Sequence, residues 1–283
     1  MKAAAAPRAC PTIAALPTLV RARCGARRPS MPHAVSLLRA ARLARSAKPF
    51  LARGGSRRER CEGCRLPLSH CQCALRPQPA VRAGMCLLMA DTEPLKPSNT
   101  GWLIADLVPD THAFGWARTE VDPALLALLA DPQWQPYVVF PGEFAQAARV
   151  VQAVAPQADA AAPAAAPQGP RPLFVLLDAT WPEARKMFRK SPYLDRFPVL
   201  SLHSDEASRY RLRRSKRSDH FCTAEVAALC LAQAGDTHAA ALLLAWLDVF
   251  SERYLLAKHQ RPVDLDSAAH QQLRALAGAQ HTG

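Results

Sequence analysis

Leu173-Phe174-Val175-Leu176-Leu177-Asp178-Ala179-Thr180-Trp181-Pro182-Glu183 is the stretch whose reading decides the fold. Its first five residues are apolar without alternation, the pattern of a strand buried on both faces of a parallel sheet. The run stops at Asp178. Thr180 and Glu183 then have the Thr-x-x-Glu spacing of a capping box, and Pro182 is tolerated in a helix's first turn. Ala184-Arg185-Lys186-Met187-Phe188-Arg189-Lys190 suits a basic helix. A carboxylate therefore stands where a strand's carboxyl end meets a helix's amino end, the place where open α/β sheets bind ligands. On spacing alone the plainer alternative stays open, in which Asp178 stiffens the turn and Trp181 packs.

Composition sets the frame around this stretch. At 283 residues and 49% apolar, the chain can build one large core or two small ones. No uninterrupted apolar run approaches the ~18 residues of a membrane span. Nine cysteines, an odd number and partly clustered, favour reduced thiols or metal ligands over disulfides. The formal charge of +13 is uneven: residues 1–58 hold 13 Lys and Arg and no acid, leaving 23 basic against 23 acidic side chains. That arm, 1–56, is rich in Ala, Arg and Pro and lacks sustained periodicity apart from a short helix near Val35–Arg45. It suits an organelle transit peptide, a nucleic-acid-binding arm or an over-extended gene start with Met31 as a second one. The expectation is a disordered arm.

Next comes a chemical cluster over 57–80. Cys61-Glu62-Gly63-Cys64 and Cys71-Gln72-Cys73 place four thiols within thirteen residues, the count a tetrahedral structural zinc requires. Gly63 permits the tight turn of the Cys-x-x-Cys half. The Cys-x-Cys half needs a bent backbone, because side chains two apart in an extended strand share a face but point in parallel rather than converging. His70 is a substitute ligand, and the alternative is a loop of four reduced thiols. Cys10, Cys24, Cys86, Cys222 and Cys230 are scattered and read as inert.

From residue 81 to 262 the pattern is α/β. Strands are expected at Met85–Ala90, His112–Ala117, Tyr137–Phe140 and Val199–Leu202. Helices are expected from Ser98-Asn99-Thr100 to Leu107, at Asp122–Ala130, from Pro141-Gly142-Glu143 towards Val154, and at Thr223–Gln233 and Thr237–Lys258. The Ala/Pro-rich 155–172 reads as a flexible insertion, and 263–283 as a tail. Between Arg185 and Arg217 there are eleven Lys and Arg against three acids, densest at Tyr210-Arg211-Leu212-Arg213-Arg214-Ser215-Lys216-Arg217. A charge run is often only a solvated face. Beside a strand-end carboxylate it points to a polyanion, RNA above all.

Taken in order, the motifs resemble the DTW-domain family of tRNA-uridine aminocarboxypropyltransferases. They are Cys61-x-x-Cys64…Cys71-x-Cys73, Lys96-Pro-Ser-Asn-Thr-Gly101, Phe140-Pro-Gly142, Asp178-Ala-Thr-Trp181, Tyr210-Arg-Leu-Arg213 and Thr223-Ala-Glu225. The resemblance covers about Arg57 to Lys258 and leaves out the arm and the 155–172 insertion. It implies a SPOUT-like α/β sheet flanked by helices, with S-adenosylmethionine as co-substrate and zinc as a structural ion. It implies transfer of the 3-amino-3-carboxypropyl group to N3 of a tRNA uridine, releasing methylthioadenosine.

Asp178 is then the candidate base for the weakly acidic N3–H, or a group orienting cofactor or ribose. Thr180 and Trp181 are candidates for cofactor or base contacts, and Phe140, Pro141 and Gly142 for a cofactor wall. Arg185, Lys186, Arg189, Arg211, Arg213 and Arg214 are candidates for tRNA. The resemblance further implies a cytoplasmic protein, and no motif calls for a stable protein partner. Two rivals remain open: an RNA methyltransferase of the same fold, and a non-catalytic zinc-containing RNA-binding module.

Overall fold

The computed structural model describes residues 32–47, 58–155, 169–202, 208, 210, 212 and 221–278. At its centre lies β5 (Arg171–Asp178), the strand quoted above. It pairs in parallel with β1 (Gly84–Met89) on one side and β3 (Trp134–Val139) on the other. With β2 (Thr111–Gly115), β4 (Val150–Val151) and β6 (Val199–Leu200) the sheet has six strands in the order β2-β1-β5-β3-β6-β4. Every pair is parallel. Both faces are covered, which is why β5 needs no polar alternation.

One face takes Phe174 and Leu176 with Met85, Leu87, Met89 and Tyr137. These meet α2 (Gly101–Leu107), α5 (Thr223–Gln233) and α6 (Thr237–Lys258). Trp246 and Phe250 of α6 are among the largest fully buried side chains, each worth roughly 1.5–3 kcal/mol by burial. The opposite face takes Leu173 and Val175 with Cys86, Leu88 and Val138, under α3 (Pro123–Ala130) and α4 (Trp181–Arg189). Among the described residues no helix is long and apolar enough to cross a membrane.

Three expectations are corrected. The short helix expected near Val35–Arg45 is present as α1 (Ala34–Ala44), but this part of the arm is not disordered: it packs on the core through a fully buried Val35. His33 caps it by accepting from the Ser36 amide (3.3 Å) and stands edge-on to Trp102. Arg42 holds both carboxylate oxygens of Asp91 (2.6 and 2.7 Å). Residues 1–31 and 48–57 of the arm lie outside the described residues, as do 156–168 of the insertion and Cys10 and Cys24.

The tail also belongs to the fold. It forms α7 (Ala268–Gly278), which buries Leu273 and receives the Arg253 guanidinium on His270 (2.9 Å). The third correction concerns the helix expected after Pro141. There the chain makes two 3₁₀ turns, Gly142–Phe144 and Ala147–Arg149, before β4. Long-range contacts override the alanine-rich propensity. Val150 and Val151 pair with β6, and the Arg149 guanidinium is drawn to Leu194 O (2.8 Å) and Phe197 O (3.0 Å).

Candidate active site

Alternation along β5 turns Asp178 towards α2 and α5, and the side chain is 2% exposed. The strand end is held by the Ala90 amide, which donates to Asp178 O (3.0 Å). Asn99 Nδ2 donates to Asp178 Oδ2 (2.7 Å) and Thr223 Oγ1 donates to Oδ1 (2.7 Å). Two donors stabilise the ionised carboxylate. Asn99 Oδ1 accepts from the Trp102 amide (3.1 Å), so it is Asn99 that caps α2. The approach of α2 requires Gly101: a Cβ there would lie 2.6 Å from Asp178 Oδ2. Around this core, Glu93 is fully buried and ion-paired with Lys96, and the Tyr210 hydroxyl donates to Ser98 O. Ser208 donates to Glu225 Oε2 (2.8 Å), whose carboxylate also takes the Cys222 amide (2.7 Å).

Asn99, Gly101, Glu93, Lys96 and Thr223 were not singled out as site residues by sequence reasoning. Four of the five lie in the motifs quoted above. The available signal was polar residues flanking short, apolar helix starts.

The other candidates gather on the opposite side of the strand end. Phe140 stacks between Trp181 (5.4 Å, 12°) and Phe188 (4.4 Å, 9°), with Phe144 edge-on to Phe140 (5.6 Å) and Trp181 (5.8 Å). Trp181 keeps 37% of its surface exposed. Gly142 donates its amide to Ser201 Oγ (3.0 Å), and Pro141 is exposed beside it. Thr180 is committed to its capping box: its amide (3.0 Å) and hydroxyl (2.5 Å) both donate to Glu183 Oε2. Partial burial pushes the Glu183 carboxyl up, but these bonds and the charges of Lys96 and Lys186 hold it below its ordinary value.

Arg185, Lys186 and Arg189 are exposed on α4, where Arg185 lies over the Phe144 ring (4.8 Å) and Lys186 over Trp116 (5.9 Å). Among the described residues none of the three has a carboxylate within ion-pair distance. Arg211, Arg213 and Arg214 lie outside the described residues.

The four thiols converge. Cys61 and Cys73 sulfurs are 3.6 Å apart, Cys64 and Cys71 3.8 Å, Cys61 and Cys71 3.5 Å, and all lie within 4.8 Å of one another. A tetrahedral ion with Zn–S bonds of about 2.3 Å needs sulfur edges of about 3.8 Å, so the set fits zinc. Gln72 (φ −111°, ψ 1°) supplies the bend that the Cys-x-Cys half needs. Hydrogen bonds from Cys64, Cys71 and Cys73 hold the Cys61 thiol far below its ordinary range, and donating to Cys61 pushes the other three up. A dication would replace that shared-proton arrangement with four thiolates.

His70 is engaged elsewhere, its ring nitrogens at 2.9 Å from Ser69 Oγ and from Arg261 O. Cys86, Cys222 and Cys230 fit the inert reading, since burial raises all three thiols. The cysteine knuckle is tied to the site. Trp102 Nε1 donates to Gly63 O (2.9 Å), and Arg65, with φ 64°, reaches Leu95 O (2.7 Å).

With this geometry in hand, comparison with known proteins is specific. The DTW domain matches residues 58–255. The chain belongs to the DTW-domain family. Its similarity to a Drosophila melanogaster protein named tRNA-uridine aminocarboxypropyltransferase 2 is 27% identity over 186 residues, covering 62% of this chain and 67% of the fly protein. No solved structure matches. The DTW match spans the knuckle, the Asp178 site and most of α6, and leaves out α1 and α7.

Proposed function

We propose that this DTW-family chain transfers the 3-amino-3-carboxypropyl group of S-adenosylmethionine to N3 of a tRNA uridine, releasing methylthioadenosine. The observation that carries the reading is the buried Asp178 carboxylate at the carboxyl end of the central strand, held by Asn99 and Thr223 from two helix starts. The name of the fly relative and the family match support the same substrate class.

S-adenosylmethionine supplies the electrophilic carbon beside its sulfonium; the chain's residues supply position and proton handling. Asn99 and Thr223 fix the Asp178 carboxylate at the strand end, where it can orient or take the N3 proton. The exposed flank of Trp181, backed by Phe140, offers a flat apolar surface for a base, and Pro141-Gly142 forms the adjacent wall. Thr180 contributes through its backbone and the helix start. Arg185, Lys186, Arg189, Arg211, Arg213 and Arg214 take tRNA phosphates. Cys61, Cys64, Cys71 and Cys73 hold zinc in a structural role. A cytoplasmic setting agrees with the free thiols.

The test is a reaction of purified protein with unmodified tRNA and S-adenosylmethionine, read by nucleoside mass spectrometry and by the released product. A uridine carrying the aminocarboxypropyl mass, with methylthioadenosine in equal amount, is the expected result. Release of S-adenosylhomocysteine would assign methyl transfer instead. Absence of any product with tRNA still bound would leave a binding module.

A further inference from the structure

A cavity of about 390 Å³ opens on the α4 side of the sheet, between that helix and the two 3₁₀ turns that follow Pro141. Phe140, Phe144 and Phe188 line it, and the last two are half-buried, so both keep ring surface for a ligand. Its cations are Arg149, Arg185 and Arg189, set against the single carboxylate of Asp195. Arg149 is committed to the wall: it donates to Leu194 O (2.8 Å), Phe197 O (3.0 Å) and Asp195 Oδ1 (3.2 Å). That ion pair neutralises itself. Arg185 and Arg189 have no carboxylate within ion-pair distance among the described residues, and Arg185 is held over the Phe144 ring (4.8 Å).

The lining selects its ligand. Aromatic rings beside guanidinium groups stack unpaired bases, and two uncompensated cations attract an anion. A nucleotide within a strand has one base and a phosphodiester on each side, which matches the rings and the two free guanidinium groups. S-adenosylmethionine fits poorly, because a sulfonium and an ammonium against one carboxylate make it a net cation. Pro141, Gly142 and Trp181 do not line the cavity. Nor does Asp178, whose carboxylate turns to Asn99 and Thr223 on the other face of the sheet. We propose that this cavity holds an unpaired nucleotide of the RNA substrate other than the uridine that reacts. The inference rests on the tRNA-transferase reading and gives it a second contact, one that selects which uridine reaches Asp178.

The test pairs loss of a ring with loss of a base. Phe144→Leu keeps an apolar side chain and removes the ring. Affinities for tRNA and for S-adenosylmethionine are measured for the native and Phe144→Leu chains, with melting temperature on the same preparations. Binding of tRNA should weaken by about tenfold, the scale of one lost stacking contact. Its log–log salt slope should stay unchanged, because no charge is lost, and S-adenosylmethionine should bind as before. Synthetic tRNAs with a single abasic site at each unpaired position then complete a double-mutant cycle. At one position, distinct from the modified uridine, base loss should cost the native chain about tenfold and the Phe144→Leu chain less than about twofold.

Unchanged tRNA affinity in a well-folded Phe144→Leu chain would overturn the inference. Coupling confined to the modified uridine would also overturn it, since the cavity would then hold the reacting base. So would weakened binding of S-adenosylmethionine with tRNA affinity intact, which would assign the cavity to the cofactor. Should Phe144→Leu not fold, Phe188→Leu removes the other half-buried ring and carries the same comparison. A native chain that shows the coupling and gives no methylthioadenosine would refute the reaction alone. A native chain that reacts, with no coupling at any position, would refute only the role of the cavity.

Discussion

Asp178 sits where three distant segments meet: residue 99 on a turn, 178 at a strand end and 223 at a helix start. Its substitution by Asn is close to isosteric and removes only charge and basicity. The new amide oxygen can accept from Asn99, and its NH₂ can donate to the Thr223 hydroxyl, which rotates to accept. Folding should therefore survive with a loss of about 1 kcal/mol, the scale of one exchanged hydrogen bond. Single-turnover rate should fall by roughly two to four powers of ten if the carboxylate handles the N3 proton. Rate and melting temperature measured together decide. A well-folded Asp178→Asn chain with near-native turnover would remove Asp178 from the mechanism. An activity loss that tracks the folded fraction would reduce it to a turn residue.

At the scale of elements, α4 presents Arg185, Lys186 and Arg189 to solvent while Ala184 and Met187 face the sheet. An amphipathic helix could carry such charges for solubility alone. Near the strand ends, and without carboxylate partners among the described residues, they should contact phosphate. Replacing all three by Ala should lower the log–log salt slope of tRNA binding by about 2–3, at about 0.7–0.9 per lost contact. Binding of S-adenosylmethionine should persist, since the proposed Pro141-Gly142 wall carries none of the three changes. An unchanged slope would assign the face to solvation.

Legibility differed by element in the same way. The strand ending at Asp178, the capping box and the helices at Thr223–Gln233 and Thr237–Lys258 were readable because local pattern and tertiary role agree. Residues 141–154 were misread as helix because their structure comes from β6 and from carbonyls around residue 195, which no local window contains. The Asn99–Asp178–Thr223 convergence was invisible for a similar reason. Its members are 79 and 45 residues apart, and sequence spacing carries no information about their meeting.

Across the whole molecule, hydrogen bonds run from the cysteine knuckle to the strand that ends in Asp178. Gly63 O accepts from the Trp102 indole (2.9 Å), the Trp102 amide donates to Asn99 (3.1 Å), and Asn99 donates to Asp178 (2.7 Å). Arg253 of α6 adds a second tie by donating to Cys71 O (2.5 Å). A zinc ion in this knuckle would therefore hold more than its own loop. Removing it replaces four metal–thiolate bonds by weak thiol–thiol hydrogen bonds, so the knuckle should loosen. The main core has its own apolar packing and should remain. The expected result for Cys61→Ser, or for a chelator-treated chain, is loss of one zinc per chain and a melting temperature lower by about 5–10 °C. That corresponds to a few kcal/mol at about 2–4 °C each.

Turnover well below that temperature should fall further than the folded fraction does, because Asn99 loses the support of Trp102. Trp102→Phe keeps the ring and deletes only the indole N–H, so it should reproduce part of the rate loss with zinc retained. Gently isolated protein without stoichiometric zinc would refute the metal assignment. Full turnover in a zinc-free, folded chain would refute the coupling and leave the knuckle as a separate structural module.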